Sequence, residues 1–189
     1  MIVAALILFR RNSLGRLAAP FCAVIIHEAG HLLMASVLKL PINCIKLDIF
    51  GAYIETSSLA CSYKKEAALC LAGPLANLVS ILPALLMSKS LDTGYFIVLS
   101  VAFALINLLP AEDFDGGRIL FSILVSFCSF KTSHSIITLL SFVCIFALWS
   151  ISVYFLMRTG AYLSLFIFSG ALFAKLFVLD EEPQSNFKE

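Results

Sequence analysis

The stretch FCAVIIHEAGHLLMASVL, Phe21 to Leu38, sets two histidines and a glutamate inside a run otherwise suited to a bilayer. Extended back to Leu17, the run is long enough, at about 1.5 Å per residue, to cross a hydrocarbon core of about 30 Å. His27 and His31 then lie near mid-depth, with Arg10, Arg11 and Arg16 before the run and Lys39 and Pro41 after it. An ionisable residue at the centre of such a helix costs about 2.5 to 3.5 kcal/mol on insertion scales, so its presence marks a functional-site candidate.

Composition agrees with a membrane setting. The 189 residues are 61% hydrophobic and 13% charged, and mean hydropathy is +1.01, above the apolar share usual in soluble domains. With a net charge of +1 and no long basic run, nucleic acid is excluded as a partner, because phosphate recognition needs clustered cations. Cys22, Cys70, Cys128 and Cys144 lie within apolar segments and no pair makes a CxxC, so they read as small buried hydrophobes. The start MIVAALILFRR has its apolar run before its basic residues, the reverse of a cleavable signal peptide, and is expected to stay attached. Its nine apolar residues are expected to be a partial or tilted span, or the end of a run that starts upstream.

Further apolar segments follow at Ala67 to Met87, Tyr95 to Leu109, Ile119 to Phe130, His134 to Met157 and Ala161 to Leu179. The fold class expected is an all-α polytopic integral membrane protein with about six transmembrane segments. KLDIFGAYIE, Lys46 to Glu55, alternates around Gly51 and predicts a short membrane-associated β-hairpin with an exposed edge. AGPLAN, Ala72 to Asn77, puts helix breakers within a span, where neighbouring protein must take up the freed backbone groups. NLLPAEDFDGGR, Asn107 to Arg118, separates two apolar runs and reads as the unwound middle of one discontinuous crossing. The basic residues of the loops nearly balance, and Arg118 with the tail tips the hairpin and C-terminus toward the cytoplasm. No repeat or low-complexity linker divides the chain, so 1–189 is expected to be one domain.

HEAGH, His27 to His31, is an H-E-x-x-H sequence. Four residues apart on a helix, both imidazoles reach one ion, and Glu28 beside them can take a proton from the metal-bound water. Zinc brings the pKa of that water toward neutrality, which supplies hydroxide for attack on an amide carbonyl. A catalytic zinc takes three protein ligands, so a third must come from elsewhere. Glu112, Asp113 and Asp115 are the candidates, in a stretch where Pro110 stops a helix and Gly116 and Gly117 allow a close turn. His134 begins a later span and reads as interfacial.

At these residues the chain resembles the site-2 protease family of intramembrane zinc metalloproteases. HEAGH and NLLPAEDFDGGR are similar to its two signature motifs, FGAYIE at Phe50 to Glu55 to its hairpin, and AGPLAN occurs in the corresponding order. The resemblance spans about residues 21 to 120. It implies that His27, His31 and Asp115 bind Zn²⁺ and that Glu28 is the general base. It also implies that Asn107 helps hold substrate or the developing oxyanion, and that Gly51, Ala52 and Tyr53 on the hairpin add a strand to unfolded substrate. Ala52 stands where the family has a second glycine, and Glu112 and Asp113 where it has prolines or apolar residues.

The implied activity is endopeptidase cleavage of a membrane-embedded or membrane-tethered protein, and the implied setting is a bacterial cell membrane. The stretch Lys39 to Glu66 is too short for a PDZ insertion, and the segment after Leu179 too short for a regulatory C-terminal module. That places the resemblance nearest the compact, sporulation-factor-like branch, which releases membrane-tethered transcription factors. The partners expected are a membrane protein substrate and the lipid bilayer; no feature specifies an oligomeric state. Two other classes fit some of the features: a membrane metal transporter with midplane polar residues, and an inactive metal-binding scaffold. The first lacks the expected internal repeat and the second does not need Glu28. Other membrane zinc peptidases take a downstream helical glutamate as third ligand, and after Arg118 there is no acid before Asp180.

Overall fold

The computed structural model describes residues 14–40, 42–48, 51–56, 62–87, 91–160 and 163–178, with side chains described in 18–40, 62–86, 93–160 and 163–176. In chain order the elements are α1 (Leu14–Val37), β1 (Ile42–Asp48), β2 (Gly51–Thr56), α2 (Tyr63–Met87), α3 (Leu91–Asn107), α4 (Asp115–Leu124), α5 (Phe130–Thr159) and α6 (Leu163–Val178).

Local chemistry sets several boundaries. Helix α1 ends as its backbone turns back at Lys39, which has a φ of +50°. The Leu40 N–H donates to Ala35 O at 3.0 Å and the Lys39 N–H to Ser36 O at 3.1 Å, the paired bonds that satisfy carbonyls left over at a helix end. Leu40 and Ala35 also join one buried apolar cluster with Leu69 of α2. Helix α5 begins at Ser129, whose Oγ accepts from the Thr132 N–H at 3.3 Å, and ends at Gly160 in the left-handed region, where a glycine carries no Cβ penalty.

Among the described residues, three helices are long and apolar enough to cross a membrane: Ala18–Val37, Tyr63–Leu86 and Phe130–Thr159. The apolar stretches Thr93–Asn107 and Leu163–Leu176 are shorter, and the expected partial span at residues 1–9 lies outside the described residues. The two-stranded sheet pairs β1 with β2 antiparallel, from Ile42 opposite Thr56 to Asp48 opposite Gly51. Gly51 opens β2, whereas the alternation in the sequence centres on it.

The distribution of side chains is inverted relative to a water-soluble fold. Leu86 is 87% exposed and Met157 82% exposed, while Asn77, Ser100, Ser133, Ser141 and Ser152 are fully buried. An apolar exterior with small polar residues among the buried apolar ones suits a lipid solvent, where close backbone approach and interhelical hydrogen bonds hold helices together. Within α5 the buried positions Ser133, Ile137, Ser141, Ile145 and Ser152 form one stripe, and Ser152 Oγ lies 2.8 Å from Ser169 Oγ of α6. Helix α2 is central, packing against α1, α3 and α4, while α5 pairs with α6 and touches α4.

Candidate metal centre

The centre is assembled from one continuous helix and one interrupted segment. On α1 the four-residue spacing brings the two imidazoles together edge to face, with ring centroids 4.7 Å apart and the Nε2 atoms 3.2 Å apart. Both rings are buried, His27 at 3% and His31 at 8% exposure. Glu28 is half-buried beside them and within electrostatic reach of His31, His27 and Asp115.

Asp115 is delivered by the irregular stretch 108–114. Helix α3 stops at Asn107, tight turns follow with Ala111 N–H donating to Leu109 O and Phe114 N–H to Ala111 O, and α4 restarts at Asp115. This compact course requires Gly116 and Gly117: a Cβ on Gly116 would strike Leu108 O, and one on Gly117 would strike Ala111 O. Ala111 and Phe114 are buried with Ile145 of α5 and Leu172 of α6, and the Glu112 N–H donates to Ser141 Oγ at 2.8 Å. The later helices thereby grip the segment whose end carries Asp115.

Asp115 Oδ2 lies 3.0 Å from His27 Nε2 and 3.2 Å from His31 Nε2. That oxygen is buried with no hydrogen-bond partner among the described residues, while the two Nε2 atoms lie within hydrogen-bond distance of each other. His27, His31 and Asp115 form the group of potential ligands among the described residues. Tetrahedral zinc with bonds of about 2.0 to 2.1 Å holds its ligand atoms about 3.3 Å apart. The observed triangle, with edges of 3.0, 3.2 and 3.2 Å, fits that ion, and two imidazoles with one carboxylate are a donor set zinc accepts.

Helix α2 forms the back wall. His31 Nδ1 is 2.9 Å from Leu69 O, and His27 Nδ1 faces the buried amide of Asn77 at 3.4 Å. Phe103 of α3 meets the His27 ring edge to face, with centroids 5.0 Å apart. Gly73 closes the space between: a Cβ there would overlap His31 Nε2 and stand 2.8 Å from His27 Cε1. Gly30 of α1 faces the same helix, and a Cβ there would stand 2.6 Å from Ala72 O. AGPLAN places helix breakers within this span. Its glycine instead lets an unbroken α2 lie directly against the imidazoles.

The remaining candidate residues fall in different places. Asp113 pairs with Lys175 of α6, and Glu112 accepts from Thr138 at 3.0 Å and sits 3.3 Å from His134 Nδ1. Neither acid joins the ligand triangle, and His134 does not either. Asn107 ends α3 with its amide donating to Phe103 O at 2.9 Å. Gly51, Ala52 and Tyr53 lie on β2 opposite Asp48, Leu47 and Lys46, and their side chains lie outside the described set. Arg118, one turn beyond Asp115, donates to Glu66 of α2 at 3.2 Å. Glu66, Glu112, Arg118 and His134 line a cavity of about 240 Å³ beside α4.

No protein-family model matches the chain. A Synechocystis sp. protein described as a candidate zinc metalloprotease is 29% identical over 111 residues, 54% of this chain and 29% of that protein. The stage IV sporulation protein FB of Bacillus subtilis is 29% identical over 131 residues, 64% of this chain and 45% of that protein. The chain thus spans less than half the length of these curated relatives. The solved site-2 protease of Methanocaldococcus jannaschii matches with a TM-score of 0.63 and 21% identity, covering 99% of this chain and 90% of the other. In the fold of nearly its whole length the chain is like that site-2 protease, and in sequence it is similar to the two curated relatives.

Proposed function

We propose that the chain is an intramembrane zinc metalloprotease that hydrolyses a peptide bond in a membrane-embedded or membrane-tethered protein. The observation that carries this reading is the convergence of His27, His31 and Asp115 to an edge of 3.0 to 3.2 Å inside an apolar helix packing.

Bound there, Zn²⁺ supplies Lewis acidity to water and to the scissile carbonyl. Glu28 takes a proton from the attacking water and returns it to the departing amide nitrogen, so a C–O bond forms as the C–N bond breaks. Asn107, at the broken end of α3, holds the substrate or its developing oxyanion. A stretch of substrate unwound from its helix adds to the hairpin at Gly51, Ala52 and Tyr53 through backbone hydrogen bonds, since a two-stranded sheet has free edges. The chain crosses a bacterial membrane about six times, with α3 and α4 as halves of one discontinuous crossing. Its irregular middle is tolerated there because protein surrounds it. The outcome of the cleavage in this reading is release of a tethered transcription factor.

Glu28→Gln tests the mechanism. Cleavage of a co-expressed, tagged membrane-tethered reporter falls by about 10² to 10⁴, while zinc content is unchanged because the base is not a ligand. Cleavage at the wild-type rate would remove the proposal, and Zn²⁺ flux into liposomes that survives the substitution would point to transport instead.

A further inference from the structure

Each histidine of the centre has a partner behind it, and only one of the two partners is already set for metal binding. A neutral imidazole carries one N–H, so a ring that gives Nε2 to an ion must carry its proton on Nδ1 and needs an acceptor there. His31 has one in the Leu69 carbonyl, 2.9 Å from Nδ1. At His27 the group facing Nδ1 is the Asn77 side chain, with Nδ2 at 3.4 Å. Asn77 is fully buried, and its Oδ1 has no hydrogen-bond partner among the described residues.

A carboxamide presents a donor and an acceptor of nearly the same size, exchanged by a half turn about its last bond. With Nδ2 forward, the amide donates to Nδ1 and forces the His27 proton onto Nε2, against the ligand triangle. With Oδ1 forward, it accepts from Nδ1–H and leaves the Nε2 lone pair free for the ion.

We propose that Asn77 is a positioning residue for the zinc centre: its Oδ1 accepts the Nδ1–H of His27 in the zinc-bound protein and selects the tautomer that binds metal. The inference rests on the zinc reading of the site. It also accounts for a fully buried amide in the apolar stretch of α2, one turn beyond Gly73 and facing His27 of α1.

The experiment is a zinc-affinity measurement by chelator competition on the purified full chain in detergent, with wild type, Asn77→Leu and Asn77→Asp. Leucine keeps the volume and removes the acceptor; aspartate keeps an acceptor and cannot donate. Loss of a partner of this kind lowers metal affinity about 10- to 100-fold, so the leucine variant binds correspondingly weaker, whereas aspartate restores binding to within a few-fold of wild type. The Co²⁺-substituted visible spectrum shifts with leucine and returns with aspartate. A merely structural role predicts that aspartate, which buries a charge, is the worse variant. Equal zinc affinity in wild type and a folded Asn77→Leu overturns the inference, and wild type that binds no zinc overturns the reading beneath it. Should neither variant fold, ¹⁵N-histidine spectra of zinc-loaded wild type decide. A solvent-protected proton on His27 Nδ1 is expected, and a freely exchanging or absent one sinks the assignment.

Discussion

Single atoms decide whether this centre can hold an ion. His27 and His31 come together because a helix brings residues four apart onto one face, and that much is legible in HEAGH. Gly73 is not legible in the same way, since no spacing rule links it to the imidazoles. Its role follows from a Cβ position that would overlap His31 Nε2. Gly73→Ala is therefore expected to displace the His31 ring and weaken zinc binding by at least about tenfold, as for other disturbed ligand orientations. Zinc titration of the folded variant checks it, and unchanged affinity would show that the ring yields without cost. His27→Ala and Asp115→Ala are expected to reduce zinc in the purified protein from one equivalent to near none. Full retention in the Asp115 variant would mean that another group completes the site.

Among the elements, the irregular segment 108–114 is the part whose form depends most on others. Its own sequence predicts a stop at Pro110 and a close turn at Gly116 and Gly117; α3 stops at Asn107, and the two glycines lie in the first turn of α4 against the backbone of Leu108 and Ala111. Which of Glu112, Asp113 and Asp115 faces the histidines is a matter of what α5 and α6 present. Lys175 engages Asp113, Thr138 and His134 engage Glu112, and Ser141 takes the Glu112 N–H, leaving Asp115 to turn inward. Lys175→Met removes a charged partner from a half-buried carboxylate and is expected to destabilise the fold by about 1.5 to 3 kcal/mol. It should also speed hydrogen exchange across 108–114 relative to α1. Exchange that accelerates uniformly, or not at all, would mean the contact does not hold the segment.

At the scale of the described residues, many large apolar side chains face outward while several serines and Asn77 are buried. Val79 of α2 is 61% exposed, and Val79→Arg is expected to cost about 2.5 kcal/mol of insertion free energy. A lower membrane-integrated fraction, read by glycosylation mapping of α2, would bear this out; undiminished integration would place that face against protein or water. Wild type is expected to stay with the membrane pellet on carbonate extraction, since only lipid or detergent can cover that exterior.

The sequence by itself determined the apolar helices, the pairing of His27 with His31, and the break after Asn107, because each follows from local periodicity or from the backbone limits of proline and glycine. It narrowed the third member of the triangle to three acids, and only resemblance singled out Asp115. The tertiary structure decided the rest: the helices that occupy Glu112 and Asp113, the close approach of α2 at Gly73, and the amide of Asn77 behind His27. Those contacts join residues 22 to 62 positions apart, and a local pattern carries no information about which distant surfaces will meet when the helices pack.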